Sequence, residues 1–480
     1  MNFARDVVDA AEPGALALVE LGRDGRRREW TFGEVAEGAA RLAGWMQRRG
    51  VARGDVVLTL VGNRPEWVLA MVACFRIGAV VLPCTEQLRP KDLAERVAVV
   101  APTLVLADRR NAATLTTAGI EATFLDAPGL FDGPEVGAAV QLDAGDPCLI
   151  TFTSGTAGAP KAVLHGQRYL AGQAVQAARW LAPEPGALVW CTAASGWSKS
   201  ARNVFIAPWL RGAPALLHDA RFDPAERLEV LEREEVAVLC MAPTEYRVIA
   251  ARVPLRRFPA LRSLVAAGEA LNPEVLRAWQ AATGLAIRDG YGQTETGQLT
   301  GMPAGGEIRP GSMGRALPGI RVWVQDGELV ADPATIPTFF LGYLGADGVL
   351  DAPAGPWHTG DRVREDADGF LFFEGRNDDV IISAGYRIGP FEVESALVAH
   401  PAVAEAAVVA GPDPERGSVV RAVVVLRDGH TGTPALARAL QEHVKATTAP
   451  YKYPRVVEFA DELPKTASGK VRRALLRGEG

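Results

Sequence analysis

Short aliphatic runs alternate with amphipathic helical stretches through the first half of the chain, and this alternation constrains the fold more than any other feature. Thr31-Phe-Gly-Glu34 is a capping box. Behind it Val35, Ala39, Leu42, Trp45 and Met46 recur at helical spacing, and Gly50 supplies a stop. Residues 55–60 predict a strand, and 64–75 a helix with Pro65 at its start, where the fixed φ of proline suits the first turn. Residues 79–82 and 103–107 predict further strands, as do 188–190, 215–217, 236–239 and 263–266. Strands separated by helices pair in parallel and are covered by those helices on their faces. The expected fold class is α/β, built of layered subdomains.

The pattern changes near residue 310. Residues 310–314, 320–324 and 328–330 predict short β segments with glycine turns, a β-rich subdomain. Past Gly375 a smaller α+β unit is predicted, with a helix from Pro390 to His400, strands at 406–410 and 419–426, a helix at 434–444 and a last strand at 455–459. The expected division is a large N-terminal domain, 1–375, and a small C-terminal domain, 376–480.

A chain of 480 residues is long enough for two or three domains. With 48% apolar and 22% charged residues it is no disordered chain. A formal charge of −6 leaves no global footprint for nucleic acid or an anionic membrane surface. The five cysteines, Cys74, Cys84, Cys148, Cys191 and Cys240, are widely spaced among apolar neighbours, which predicts buried free thiols in a reducing compartment. No CxxC or HExxH occurs, so a dedicated zinc site is not expected. Arg5, Asp6 and Asp9 break any signal-peptide core, and Arg76 interrupts the most membrane-like stretch, 67–84, so that no membrane span and a cytoplasmic location are expected.

The strongest chemical signal is an apolar strand, 148–152, running into Thr153-Ser154-Gly155-Thr156-Ala157-Gly158-Ala159-Pro160-Lys161. Glycines let backbone N–H groups approach an anion, hydroxyls add donors and the lysine adds a cation, which is the make-up of a phosphate cradle. It is not a Walker A loop, because Pro160 stands where a glycine precedes the lysine there. Four more segments follow in order: Asp289-Gly290-Tyr291-Gly292-Gln293-Thr294-Glu295-Thr296, Trp357-His358-Thr359-Gly360-Asp361, Gly375-Arg376-Asn377-Asp378-Asp379, and Pro464-Lys465-Thr466-Ala467-Ser468-Gly469-Lys470. Together the five resemble the AMP-forming adenylating superfamily of acyl-CoA synthetases, peptide-synthetase adenylation domains and firefly-type luciferases, over essentially the whole chain. The stretches 383–397, 309–314, 448–455 and Gly196-Trp197-Ser198-Lys199-Ser200 are most similar to the medium-chain acyl-CoA synthetase branch.

The resemblance implies two half-reactions. A carboxylate attacks the α-phosphate of ATP to give an acyl-adenylate and pyrophosphate; coenzyme A thiol then attacks the acyl carbon and AMP leaves. Thr153, Ser154, Gly155, Thr156, Gly158 and Lys161 would hold the β- and γ-phosphates. Gly268, Glu269, Asp289, Gly290, Tyr291, Gly292 and Gln293 would form the rest of the nucleotide site, with Tyr291 against adenine and Thr294 donating to the α-phosphate. Glu295 would carry Mg²⁺, a hard cation suited to carboxylate oxygen. Asp361 and Arg376 would bind the ribose hydroxyls, Arg387 a phosphate, and Lys470 the α-phosphate and the attacking carboxylate. Ala384, Gly385, Tyr386, Arg416, Lys445 and Tyr453 would contact coenzyme A. Trp197, Gly196, Thr244 and Gly292 would shape the acyl pocket. Asp378 would be the hinge, in 376–379, about which the small domain rotates between half-steps.

Ala157 departs from the hydroxyl common in such loops, and Ala194-Ser195 stand where the branch often has Asp-Thr. His165 reads equally as a pocket residue or a core residue. The expected activity is an AMP-forming acyl-CoA ligase for a medium-chain or similarly apolar acid, with aryl acids or loading of a carrier protein as alternatives. Expected partners are the carboxylic acid, ATP and CoA, with no nucleic acid. An alanine-rich apolar surface is compatible with a homodimer.

Overall fold

A computed structural model of the chain describes residues 1–478 apart from 154–159, 270, 272, 346, 347, 349, 352, 353, 384, 385, 414–416 and 467–469, and describes the backbone alone at 350, 351 and 387. The predicted alternation of strands and helices builds two large sheets. In one, Leu16–Leu21, Ala215–His218, Val189–Cys191, Val238–Met241, Ser263–Ala267 and Ile287–Gln293 lie side by side in parallel. Arg27–Thr31 closes one edge, and Gly297–Gly301 with Arg315–Ala316 the other, all antiparallel. In the other sheet, Thr123–Phe124, Leu104–Ala107, Val56–Leu60, Val80–Cys84 and Pro147–Phe152 run in parallel. Ala162–Gly166, Gly342–Leu344 and Leu350–Asp351 extend it antiparallel.

Helices Phe32–Arg48 and Pro65–Ile77 contribute to a core that draws residues from both sheets: Val57, Val81 and Leu149 on one side, Leu18, Ala215 and Val238 on the other. Thr31 and Glu34 form the predicted capping box, and Pro65 opens its helix. Apart from Glu66, every residue of Pro65–Ile77 is buried, which accounts for its membrane-like sequence. Arg76 is reconciled with that burial by Asp9 and the carbonyl of Gly137. No helix among the described residues is long and apolar enough to cross a membrane. The five cysteines are free and buried.

The β-rich segment forms an antiparallel sheet of Val322–Gln325, Glu328–Ala331, Trp357–Glu365 and Leu371–Arg376. A separate small domain follows. Its hairpin (Ile381–Ser383, Tyr386–Ile388), its sheet (Val403–Asp413, Gly417–Leu426, Val456–Phe459) and helices Pro390–Val398 and Pro434–Thr447 enclose a core that includes Ile381, Val393, Val408, Val424 and Leu440. The turn Asn377–Asp379 lies between Leu371–Arg376 and the hairpin. The edge pair Leu16–Leu21 and Arg27–Thr31 was not among the predicted strands. Its outer member reads Arg27-Arg-Glu-Trp-Thr31 and is half-exposed, so it lacks the apolar run that marks the inner strands.

The segment that follows Val189–Cys191 meets the end of Val80–Cys84 closely at Gly196, at φ +90°, where a Cβ would lie 2.2 Å from the backbone nitrogen of Thr85. Gly196→Ala is expected to lower stability by about 3 kcal/mol, from left-handed backbone strain plus displacement of Thr85. Chemical denaturation of the two proteins checks this.

Candidate active site

Four parallel strands of the first sheet end on one side of it, and their following residues, Thr192, Ala242, Gly268 and Thr294, line a cleft of about 1420 Å³. The carboxyl ends of parallel strands are where open α/β sheets bind ligands. The β-rich sheet and the small domain supply the opposite walls through Asp361, Arg376 and Lys470.

Asp361 is buried at the centre of a hydrogen-bond network. It accepts from the Tyr291 hydroxyl at 2.5 Å and from Gln293 Nε2 at 2.8 Å, and Arg376 lies 3.7 Å away on the neighbouring strand, directly opposite in register. Gln293 is held in turn by Trp357 Nε1 at 2.9 Å and donates to the Thr359 carbonyl at 2.7 Å. Burial raises the Asp361 carboxyl, while Tyr291, Arg376 and Gln293 oppose that rise. Gly292 keeps this strand free to turn: a Cβ there would lie 1.9 Å from the Gly297 carbonyl oxygen. Asp289, on the same strand, is buried, and desolvation pushes its carboxyl up to about 8 against the Gly290 N–H and Lys199.

Glu295 accepts from the Tyr343 hydroxyl at 2.9 Å, and the Lys161 ammonium sits 4.8 Å from the centroid of that tyrosine ring. Thr153 and Lys161 clasp each other across 154–159, Thr153 N–H to the Lys161 carbonyl and Lys161 N–H to Thr153 Oγ1, both at 3.0 Å. Ser154, Gly155, Thr156 and Gly158 lie outside the described residues. His165 is fully buried against Tyr169, and burial pulls its pKa down to about 3. It stays neutral near pH 7, and its Nδ1 has no hydrogen-bond partner.

Lys470 arrives in the cleft from the small domain. Its backbone is tied to Thr466, N–H to Oγ1 at 3.1 Å and carbonyl to N–H at 2.8 Å. Burial lowers its pKa, and Lys199 lowers it further, while Glu269 and Asp361 raise it. Lys199 is held by the Ala267 carbonyl at 3.0 Å beside Gly268, at φ +105°, where a Cβ would sit 3.0 Å from the ammonium. Glu269 accepts from Thr244 at 2.7 Å on the same wall, and Trp197 lines the cleft there. The arrangement converges cations from both domains on a space beside buried carboxylates, which suits a substrate bearing several negative charges.

Arg376 donates to Asp378 at 3.3 Å, and both line the cleft. Tyr386, Lys445 and Tyr453 do not line it. Tyr386 is exposed and stacks on Tyr451, with ring centroids 4.4 Å apart; Lys445 lies 4.3 Å over the Tyr453 ring and bonds Glu442 at 2.6 Å. Ala384, Gly385 and Arg416 lie outside the described residues, as does the side chain of Arg387. Sequence reasoning gave no role to Tyr343, Lys199, Arg202 or the cluster in which Arg473 joins Glu394 at 2.7 Å and Asp379 at 3.6 Å. Lys199 falls within the family-like stretch 196–200 but was given no role there, and the signal for Arg202 was a cation just ahead of the apolar run 204–210.

The family model for AMP-binding enzymes matches residues 5–335, and that for the AMP-binding enzyme C-terminal domain matches 392–470. The chain belongs to the AMP-binding enzyme family. It is 39% identical to the uncharacterized acyl-CoA ligase YtcI of Bacillus subtilis, over 96% of this chain and 92% of that one. It is 38% identical to the mitochondrial acyl-coenzyme A synthetase ACSM4 of Rattus norvegicus, over 100% of this chain and 90% of that one. A benzoate CoA ligase from Burkholderia xenovorans overlays with a TM-score of 0.89 at 27% identity, covering 99% of this chain and 100% of that one. Within the family this chain is an ATP-dependent, adenylate-forming acyl-CoA ligase.

The raised Asp289 carboxyl makes stability pH-dependent. Its folded value of about 8 exceeds the unfolded value of ~3.9, so the fold holds the proton more tightly. That contribution is complete below the unfolded value and is lost as pH rises toward 8. Asp289→Asn keeps an acceptor for the Gly290 N–H and removes the titration. Its thermal midpoint is expected to gain on the parent's steadily between pH 5 and pH 8; parallel curves would contradict a buried, neutral Asp289.

Proposed function

We propose that this ligase activates a medium-chain or similarly apolar carboxylic acid, and that Lys470 drives the first half-reaction. The observation that carries this reading is the ammonium of Lys470, delivered by the small domain into the field of Asp361, Glu269 and Lys199 of the large one. In the first step a carboxylate oxygen bonds to the α-phosphorus of ATP and the bond to pyrophosphate breaks. Negative charge gathers on the α-phosphate oxygens, and Lys470 with Thr294 would offset it. Asp361 presents acceptor oxygens to ribose hydroxyls, and Arg376 restrains it from the adjacent strand. Tyr291 would lie against the adenine. Thr153 and Lys161 would hold the outer phosphates.

Mg²⁺ fits the donors present. It takes few protein ligands and retains water and phosphate oxygens, and Glu295 offers a carboxylate fixed on one side by Tyr343. When bound, the ion would neutralise charge on the polyphosphate.

In the second step the sulfur of coenzyme A bonds to the acyl carbon and AMP departs. For this the small domain would turn about 376–379 with Asp378 at the hinge. Lys470 would withdraw, and Tyr386, Lys445 and Tyr453 would come forward.

Lys470→Ala is expected to lower acid-dependent pyrophosphate release by roughly 10²–10³-fold, the range for removing one transition-state donor. Conversion of supplied acyl-adenylate to thioester is expected to persist within a few-fold. Equal loss in both assays would refute the division of labour. Asp378→Pro is expected to do the reverse, sparing pyrophosphate release and slowing thioester formation at least about tenfold; stopped-flow measurement of each half-reaction separates the two.

A further inference from the structure

Gln293 reaches three alternate residues of the strand Trp357–Glu365. Its Oε1 accepts from Trp357 Nε1 at 2.9 Å. Its Nε2 donates to the Thr359 carbonyl at 2.7 Å and to Asp361 Oδ2 at 2.8 Å. An indole N–H can only donate, and a carbonyl and a carboxylate can only accept. The three partners admit one orientation of the amide, and both of its Nε2 hydrogens and its oxygen are used in it. Turned over, the amide would set its oxygen against two acceptors and its nitrogen against a donor. Trp357 is itself held edge-on against Phe339 and Phe340, with ring centroids 5.7 and 5.4 Å away.

The consequence falls on Asp361. A carboxylate offers about four acceptor positions, two on each oxygen. The Tyr291 hydroxyl and the Gln293 amide both bond Oδ2 and fill its pair. Oδ1 accepts no hydrogen bond from a described residue, and Arg376 stands 3.7 Å from it. Two acceptor positions are left on one oxygen of a residue that lines the cleft. A vicinal diol brings two hydroxyl donors. With Oδ2 tied from two sides the carboxylate cannot rotate, so Oδ1 is presented ready-made and the cost of ordering it is met before the nucleotide arrives.

We propose that Gln293, anchored by Trp357, is a positioning residue that saturates Oδ2 of Asp361 and reserves Oδ1 for the ribose hydroxyls, so that the relay from indole to amide to carboxylate sets the preference for a ribonucleotide over a deoxyribonucleotide. The proposal deepens the ribose role of Asp361 given above and rests on it. Neither Gln293 nor Trp357 acts on the reacting atoms; both act through Asp361.

Calorimetric titration of the full-length protein with ATP, 2′-deoxy-ATP and 3′-deoxy-ATP, each with Mg²⁺, tests this and needs no acid. The parent is expected to bind ATP at least about tenfold more tightly than either deoxynucleotide, the size of one hydrogen bond to a charged group. Gln293→Leu is expected to bring the three affinities within about threefold of one another, through loss of ATP binding, with the deoxynucleotides little changed. Trp357→Phe keeps an aromatic ring against Phe339 and Phe340 and is expected to give an intermediate ratio. The double variant is expected to match Gln293→Leu within about twofold, because the indole works only through the amide. A parent that binds all three equally overturns the ribose role of Asp361 and the proposal with it, and binding of none overturns the nucleotide site itself. A parent that discriminates, with Gln293→Leu or Trp357→Phe discriminating as well as it does, overturns the proposal alone; so does a variant that loses ATP and the deoxynucleotides in equal proportion, which is the mark of a merely structural role.

Discussion

The structure turns on the cost of keeping charge out of water. Asp289, Asp361, Lys199, Arg202 and Lys470 converge on one cleft, several of them buried, and a low-dielectric setting penalises each one that lacks a partner. The fold meets this locally. Asp361 takes the Tyr291 hydroxyl, the Gln293 amide and the Arg376 guanidinium; Asp289 holds its proton; Lys199 takes a backbone carbonyl. What is left over is positive, and it faces the space where a nucleotide and a carboxylic acid would lie. The same constraint favours anions in the cleft.

Parallel pairing brings these groups together. Tyr291 and Gln293 ride on one strand of the nine-stranded sheet, Asp361 and Arg376 on a neighbouring antiparallel sheet, and Glu295 on the turn that joins Ile287–Gln293 to Gly297–Gly301. Glycine allows the close passages: Gly292 against the Gly297 carbonyl, and Gly268 beside the Lys199 ammonium. A side chain at either position would fill space that the site uses.

Much of this could be read from the residues, for a physical reason. The phosphate-loop ends, the Tyr291–Glu295 run, Asp361, Arg376 and Lys470 sit in contiguous segments whose glycine, hydroxyl and charge content has no other ready use. The capping box at Thr31, Pro65 at its helix start and most inner strands were equally local, and the structure has them within a residue or two of their expected ends. Lys199 and Arg202 were not legible in this way. Two cations three residues apart look like a solvated helix face until the packing shows that the face is turned inward. The hairpin of Leu16–Leu21 and Arg27–Thr31 was missed because an edge strand needs only one apolar side, and charges at 26–29 mask it. The Arg473 cluster depends on contacts 79 residues and more apart in sequence, beyond the reach of any local pattern.

That cluster bears on how force would travel through the molecule. Arg473, three residues beyond Lys470, is moored to Glu394 in the body of the small domain and to Asp379, which Arg477 also holds at 2.8 Å. The lysine therefore sits on a short spar braced at its base. A few degrees of torsion at 377–379 would swing its tip through a much wider arc, with no need for the spar itself to refold. Slack in the brace would blur the end point of that swing, and the two arginines are what keep it taut.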